Sequence, residues 1–267
     1  MQRRKLFTAG AAALAALTLP AAAVQAAENT VIRVGVTAGP AAEVLEKVVP
    51  LAAKRGLTVK IFEFQDYITP NVALDAGDLD ANIFQTKVFL ENQNEQRGFK
   101  MRIVAPAFTL PMAYYSKKIK DLKDLPTGAT VGIPNDAPMG GRALILLASS
   151  GIIKLRDGTG LLPTKFDIIE NPKKIKVIEL EAAQLPQALD DLTIAGINGN
   201  YAAVTGLNPT RDGLLVEGPK GPYVCNIAVD EKNVNAPWVK PFVEAYQSKE
   251  IHDWIIEFYK GTVIPAF

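Results

Sequence analysis

Arg142 is the residue best suited to hold an anion. It lies just after the segment Pro134–Gly141, at the start of a predicted helix that runs from Gly141 to Ser150. A guanidinium binds a carboxylate through two parallel hydrogen bonds, and free backbone N–H groups in the first turn of a helix also favour an anion. An arginine in an exposed surface ion pair is the alternative interpretation. The residue type and its position therefore favour a carboxylate clamp without excluding that alternative.

Two asparagines offer hydrogen bonds to a small polar molecule. Asn198 and Asn200 directly follow the predicted strand Leu192–Ile197, and an amide can both donate to and accept from a zwitterion. Asn-Gly-Asn is also ordinary turn chemistry. These residues are thus candidates for the polar end of a binding site, and turn formation remains the alternative.

Aromatic residues at predicted strand ends are the candidates for an apolar wall. Tyr67 and Phe84 lie near the two ends of the stretch Phe64–Lys87, and Tyr114 or Tyr115 lies in an extended segment further along the chain. Such side chains line most small-molecule pockets, although packing in a core is the common alternative. Together with Arg142 and the asparagines, they predict a small-molecule site at which no chemistry is done.

The residues that usually carry catalysis or bind metal are scarce in this chain. His252 is the only histidine and stands in a polar terminal helix, and Cys225, the only cysteine, is expected to be a small buried hydrophobe. One histidine and one cysteine cannot form a usual zinc site or a plausible catalytic triad. We therefore expect no enzyme, no metal and no cofactor.

The predicted elements place the candidate residues at the edges of two sheets. Val31–Val36 and Thr58–Phe64 are typical of buried strands, and the helix Ala41–Lys54 between them completes a parallel unit. Pro50 is expected to kink or split that helix. A second α/β unit runs from Thr130 to Asn200. Because ligands bind beyond the carboxyl ends of strands in open α/β sheets, we predict an α/β protein with two lobes around a ligand cleft.

Four segments follow from this pattern. Residues 1–26 form an export signal, 27–115 the first lobe, 116–202 the second lobe, and 203–267 return to the first lobe with the C-terminal helices. The signal has Arg3, Arg4 and Lys5 before an apolar core, which fits either a Sec or a twin-arginine signal. Cleavage is expected after Ala26, and no cysteine stands there. We therefore expect a periplasmic protein without a lipid anchor.

The composition is that of an ordinary globular protein. The chain has 267 residues, a net charge of +1, 48% hydrophobic residues and 21% charged residues. Removal of the signal leaves a charge of −2, because three basic residues and no acidic residue lie in residues 1–26. This charge does not indicate a nucleic-acid-binding surface.

Long motifs along the mature chain resemble those of one known family. They include EFQDYITPNVALDAGDLDAN, YSKKIKDLKDLPTGATVGIPND, GRALILL, INGNYA and KGTVIPAF. The chain resembles the methionine-binding family of ABC-transporter substrate-binding proteins, the NlpA lipoprotein family. The resemblance covers essentially the whole chain after residue 26, and its motifs are specific.

The resemblance implies a type II periplasmic binding protein fold and a role in import. Two lobes would close on a free amino acid or small peptide and deliver it to an ABC permease in the inner membrane. In the family, the residue matching Arg142 grips the ligand carboxylate, those matching Tyr67 and Phe84 line the side-chain slot, and an asparagine matching the segment Asn198–Tyr201 assists at the polar end. We expect a monomer.

Three positions depart from the family pattern. Thr86 stands where the family usually has histidine, Met139 where it has asparagine, and Cys225 where it has another asparagine, with Asn226 one place late. A shift of one residue along a strand turns a side chain to the opposite face. Fewer polar partners change ligand discrimination. The family implies methionine as the default ligand, and the altered pocket favours a relative of it, such as another apolar amino acid, a derivative or a small peptide.

Two other functions use the same scaffold. A ligand-binding sensor subunit without a transport role has the same pocket, and genes for a permease or a receptor nearby would distinguish the two. An enzyme on two lobes is the third possibility, and the lack of a catalytic constellation argues against it.

Overall fold

The computed structural model describes residues 30–267. The predicted signal segment, its cleavage site and its Sec or twin-arginine character lie outside these residues. The helices are α1 (Pro40–Ala53), α2 (Thr69–Asp75), α3 (Lys87–Arg97), α4 (Ala137–Ser149), α5 (Leu185–Ala188), α6 (Gly199–Val204), α7 (Pro209–Asp212), α8 (Val239–Tyr246) and α9 (Lys249–Tyr259). The strands are β1 (Thr30–Thr37), β2 (Leu57–Phe64), β3 (Ala81–Thr86), β4 (Met101–Thr109), β5 (Ala113–Tyr115), β6 (Thr130–Pro134), β7 (Lys154–Leu155), β8 (Ile168–Glu170), β9 (Lys176–Leu180), β10 (Ile194–Ile197), β11 (Leu215–Val216), β12 (Val224–Asp230) and β13 (Ile264–Pro265).

The first lobe is built on a six-stranded sheet. Its strand order is β13-β4-β12-β3-β1-β2, with β1 parallel to β2 and β3 and with β12 antiparallel to both β3 and β4. The apolar face of α1 packs on this sheet through Val44, Leu45 and Val48. Helices α8 and α9 cover the same core with Phe242, Tyr246 and other apolar residues. This buried face explains why β1, α1 and β2 can be predicted from sequence.

The second lobe is built on a five-stranded sheet. Its order is β11-β5-β10-β6-β9, in which β6 is parallel to β9 and β10, and β5 is antiparallel to β10 and β11. Apolar residues from both faces of the sheet form two clusters, one with α4 and one with α5. The two sheets make an α/β protein with two lobes.

The strand order favours lobe limits that differ from the predicted boundaries after residues 115 and 202. β5 and β11 both pair in the five-stranded sheet, although the sequence boundaries assigned both segments to the first lobe. Strands of three and two residues carry too little periodicity to reveal which sheet they join. We therefore propose a first lobe of residues 30–110 and 224–267, a second lobe of residues 112–217, and connections at 110–112 and 217–223.

Helix α4 begins four residues earlier than predicted. Asp136 is its N-cap and accepts a hydrogen bond from the backbone N–H of Met139. Gly140 and Gly141 lie inside the helix, where a Cβ on Gly140 would meet the carbonyl oxygen of Pro134 at 2.7 Å and a Cβ on Gly141 would meet that of Leu161 at 2.9 Å. Arg142 consequently lies in the second turn of α4, and the prediction that it lies in the first turn is wrong.

Other elements also differ in detail. Helix α1 runs through Pro50 to Ala53 without a split. A 3-10 turn over Ala182–Gln184 leads into the short α5. Between α4 and β9, strands β7 and β8 pair as a small antiparallel hairpin. No helix among residues 30–267 is long and apolar enough to cross a membrane.

Candidate functional site

A cavity lies where the two lobes meet, beyond the ends of β1, β3, β4 and β10. It encloses about 430 Å³, counted with its opening to solvent. Its place agrees with the rule that ligands bind beyond the carboxyl ends of strands in open α/β sheets. Fourteen side chains or backbone segments line it: Thr37, Tyr67, Phe84, Gln85, Thr86, Phe89, Phe108, Leu110, Met139, Arg142, Asn198, Gly199, Asn200 and Cys225.

Arg142 enters this cavity from α4 and is only 4% exposed. Its Nε donates to Oε1 of Glu217 at 3.0 Å, and its Nη2 donates to Oε2 of Glu217 at 2.5 Å and to the carbonyl oxygen of Leu110 at 2.8 Å. The guanidinium also lies 4.5 Å from the ring centroid of Tyr223. Nη1 has only a long contact of 4.0 Å with the sulfur of Met139 within the described chain. The Nη1 edge is therefore the part of the guanidinium that is left to a ligand.

The two asparagines enter the cavity at the start of α6. Asn198 is the N-cap residue of α6 but its side chain makes no capping hydrogen bond, and its Oδ1 is buried without a partner among residues 30–267. Asn200 accepts a hydrogen bond on Oδ1 from the hydroxyl of Tyr67 at 2.5 Å. A buried acceptor without a donor costs free energy, so Asn198 is suited to receive an N–H group from a ligand.

Aromatic rings form one wall of the cavity. The ring of Tyr67 stacks on Phe84 with centroids 5.9 Å apart and meets the edge of Phe89 at the same distance. Met139 belongs to this apolar cluster. Burial raises the pKa of the Tyr67 hydroxyl well above its usual value, so this group stays a neutral donor to Asn200.

The lobes also meet through a second tyrosine beside the cavity. Tyr201 of α6 donates from its hydroxyl to the carbonyl oxygen of Gln65 at 3.1 Å, and its ring lies 5.1 Å from that of Tyr67. Two tyrosines from opposite lobes thus interlock at this edge of the cleft.

Two of the departures from the family pattern bond to backbone. The Oγ1 of Thr86 accepts from the N–H of Phe89 at 3.2 Å and caps α3. The thiol of Cys225 donates to the carbonyl oxygen of Phe84 at 3.1 Å, and burial raises its pKa to about 12. Asn226 donates to the backbone oxygens of Val224 and Gln85 instead of lining the cavity, as the shift of one residue predicts.

Eight of the nine predicted ligand-binding residues line the one cavity. Tyr114 does not, because β5 turns it into the core of the second lobe, where it is fully buried and donates to the carbonyl oxygen of Ala143 at 2.9 Å. Tyr115 lies in the cluster on the other face of the sheet. An extended segment has two faces, and the sequence did not show that both faces of β5 are covered.

The sequence did not indicate several residues that shape the site. Glu217 gives no sequence signal, because an isolated glutamate in a connecting segment belongs to no motif. Gln85 is held by a buried network in which its Nε2 donates to the side-chain oxygens of Asn71 and Asn82, both at 2.8 Å. The three polar residues in the short segment Asn82–Thr86 were the available signal for this network.

Asp136 lies close to the cavity at the N-terminus of α4. Burial raises the pKa of its carboxyl to about 6, against the opposing effect of the hydrogen bond from Met139. This carboxyl therefore takes up a proton more readily than an exposed aspartate does.

Comparison with known proteins gives a consistent family. The family model described as NlpA lipoprotein matches residues 32–267. The D-methionine-binding lipoprotein MetQ of Salmonella typhimurium is 44% identical over 266 residues, which is 98% of each chain. This confirms the resemblance drawn from the motifs.

Solved structures are similar over most of the chain. A nutrient binding protein from Burkholderia cenocepacia bound to methionine is 48% identical, with a TM-score of 0.86 over 88% of this chain and 100% of that one. An ABC transporter, periplasmic substrate-binding protein from Coxiella burnetii is 43% identical, with a TM-score of 0.84 over 88% of this chain and 100% of that one. The predicted fold class is confirmed.

The predicted location needs correction. The absence of a cysteine at the expected cleavage site led to the prediction of a protein without a lipid anchor. That prediction is contradicted, because the matching family and the relative from Salmonella typhimurium are both named lipoproteins. The prediction depended on a single position in a segment that lies outside the described residues, whereas the similarity extends over nearly the whole chain.

Proposed function

The chain belongs to the NlpA lipoprotein family, and from this premise we propose that it is the substrate-binding protein of an ABC importer for methionine or a related amino-acid-like carboxylate. The names of its relatives support methionine as the ligand and an ABC transporter as the setting. The proposed partners are a small amino acid or small peptide and the permease of the importer. That the protein is a monomer stays a prediction.

The observation that carries the proposal is that a guanidinium edge and an amide oxygen with no partner among residues 30–267 meet at one cavity. Nη1 of Arg142 is the donor for a carboxylate, and the buried Oδ1 of Asn198 is an acceptor for an ammonium group. These two groups suit the two charges of a free amino acid. Since Arg142 is the only charged residue among the described residues that line the cavity, a zwitterion suits it better than a dianion.

The rest of the lining suits an apolar side chain. Tyr67, Phe84 and Met139 enclose the slot, and Thr86 and Cys225 complete its wall with their polar atoms bonded to backbone. A flexible thioether chain packs well against aromatic rings. Asn200 supports the site from the second lobe through its bond with Tyr67.

Thermal unfolding with added ligand tests the proposal. L- or D-methionine at a hundred times its Kd adds about 2.7 kcal/mol of stability, which raises the Tm of a chain of this size by roughly 5–10 °C. Arg142→Ala is expected to abolish the rise. Arg102→Ala removes an exposed arginine that is ion-paired with Glu231, and this control is expected to keep it.

A second variant and a second measurement complete the test. Arg142→Lys retains a positive charge beside Glu217 and serves if the alanine variant does not fold. Native mass spectrometry of the purified protein would give the mass of any ligand that it retains. A wild-type Tm that no amino acid or dipeptide raises would contradict the proposal.

A further inference from the structure

Glu217 forms the other half of the Arg142 ion pair and lies on the connection that leads back to the first lobe. Its side chain is 14% exposed, against 5% for Arg142. Its backbone N–H donates to the carbonyl oxygen of Met112 at 2.9 Å, and its Oε2 accepts from the N–H of Met112 at 3.3 Å. Because Met112 lies on the outgoing connection, Glu217 is fixed to both connections between the lobes.

This fixed carboxylate determines which edge of Arg142 faces the cavity. The N–H groups on Nε and Nη2 are directed at Glu217 and at the carbonyl oxygen of Leu110. The guanidinium is planar, so fixing these two nitrogens fixes the direction of the third. Nη1 is thereby presented to the cavity, and a ligand can reach it without displacing Glu217.

The pair also balances the charge of the site. A buried arginine that loses its partner keeps an uncompensated charge, which the surrounding structure relieves by moving the side chain or admitting water. Tyr223 supports the guanidinium from one side, 4.5 Å from its ring centroid, but a ring does not define the rotation of the guanidinium plane. The hydrogen bonds of Glu217 do define it.

We propose that Glu217 is a positioning residue for the ligand carboxylate, acting through Arg142. The inference rests on the proposed function, because it assigns the carboxylate of the bound amino acid to Nη1. In this role Glu217 does not compete with the ligand carboxylate for Arg142, and it is not displaced when the ligand binds. The proposed role also goes beyond stabilising the fold, because it affects how the ligand carboxylate is bound.

Calorimetric titration with two probes separates these roles. Glu217→Gln keeps the size of the side chain and removes its charge. We expect this variant to bind methionine at least about tenfold more weakly. It should bind methioninol, in which a CH2OH group replaces the carboxylate, within about threefold of wild type, since the alcohol does not need the charged fork.

A control variant and three outcomes that would overturn the proposal complete this titration. Glu179→Gln removes a carboxylate from an ion pair with Lys165 in the second lobe, outside the lining of the cavity, and is expected to change neither affinity. Equal weakening of both probes by Glu217→Gln would overturn the proposal in favour of a general structural role. Unchanged methionine affinity would overturn it as well, and tighter binding would identify Glu217 as a competitor.

A spectroscopic readout does not depend on any ligand. In wild-type protein the Nε–H signal of Arg142, assigned with Arg142→Lys, should be observed at neutral pH and exchange slowly with water, and in Glu217→Gln it should exchange at least about tenfold faster. A wild-type signal that exchanges as fast as those of exposed arginines overturns the proposal, whether or not the glutamine variant folds. If wild-type protein binds neither probe, the proposed function fails, and the signal then tests only whether Glu217 fixes the orientation of the Arg142 guanidinium.

Discussion

The hydrogen bond between Tyr67 and Asn200 joins the lobes at the cavity, and Tyr67→Phe removes that bond alone. Tyr67 follows β2 in the first lobe, and Asn200 lies in α6 of the second, with 2.5 Å between the hydroxyl and Oδ1. Phenylalanine keeps the ring that stacks on Phe84. We therefore expect the variant to keep the apolar slot and to lose part of the free energy that holds the lobes together.

The size of the effect follows from the burial of the acceptor. A neutral hydrogen bond contributes about 0.5–1.5 kcal/mol, and an acceptor left buried without a donor costs about 1–3 kcal/mol. Asn200 is 5% exposed, so its oxygen would be left without a donor unless the lobes open. A loss of about 1–2 kcal/mol corresponds to a Kd for methionine that is roughly 5–30 times higher. Faster dissociation should account for most of this change.

Calorimetry and stopped-flow dissociation measure this prediction. Tyr246→Phe is the matched control, because it removes a buried hydroxyl that has no partner among the described residues and lies in the core of the first lobe. A double-mutant cycle with Asn200→Ala isolates the coupling between the two side chains. The reasoning is refuted if Tyr67→Phe stays within twofold of wild type, or if Tyr246→Phe weakens binding by the same factor.

Two other predictions concern Asp136 and Gly39. Because the pKa of Asp136 is raised from 3.8 to about 6 in the folded protein, its contribution to stability is present below pH 4 and is lost as the pH rises through 6. Asparagine at position 136 still caps α4 but does not titrate. Urea unfolding should therefore show that, as the pH rises through 6, the free energy of unfolding of wild type falls by up to about 3 kcal/mol relative to that of Asp136→Asn. Parallel pH profiles of the two proteins would contradict this. Gly39→Ala should weaken methionine binding as well as stability, because Gly39 has φ +90° and its added Cβ would lie 2.8 Å from Val204 in the other lobe. Gly56→Ala, at φ +78° with nothing within 4 Å, should lose only about 1 kcal/mol of stability, and equal affinities in the two alanine variants would contradict the role of the lobe contact.

The parts of the fold that the sequence predicted are those with one-sided or fully buried apolar patterns. β1, α1 and β2 were found within about one residue because their apolar positions repeat with the strand and helix periods. Short strands such as β11 were missed because two residues show no period. The lobe limits that we propose differ from the predicted ones for the same reason.

The predicted start of α4, at Gly141, lies four residues after its start in the structure, at Ala137. Gly140 and Gly141 occur there because the backbone of Pro134 and Leu161 comes too close for any side chain. Asp136 followed by Pro138 was the better signal, since an aspartate cap and a proline in the first turn are typical of a helix start. With that start, Arg142 moves from the free N–H groups of the first turn to the second turn.

Most of the candidate site could be predicted, but the partner of Arg142 could not. Strand ends point to the cavity residues, because the chain must deliver them to one edge of each sheet. The ion pair with Glu217 joins residues 75 positions apart, and one sequence contains no pattern that links them. Contacts of this kind depend on how the two connections between the lobes pass each other.

The proposed site separates recognition of the head group from selection of the side chain. The polar atoms of Thr86 and Cys225 are bonded to backbone, and Met139 packs with the aromatic wall. The hydrogen bonds to a ligand then fall to Arg142 and Asn198. A buried polar group that needs a hydrogen-bond partner strongly disfavours a ligand that does not provide one. An apolar slot distinguishes two ligands that differ by one methylene by only about 1–3 kcal/mol. The departures from the family pattern therefore alter the slot, where discrimination is weak, and leave the guanidinium edge and the amide oxygen, where discrimination is strong.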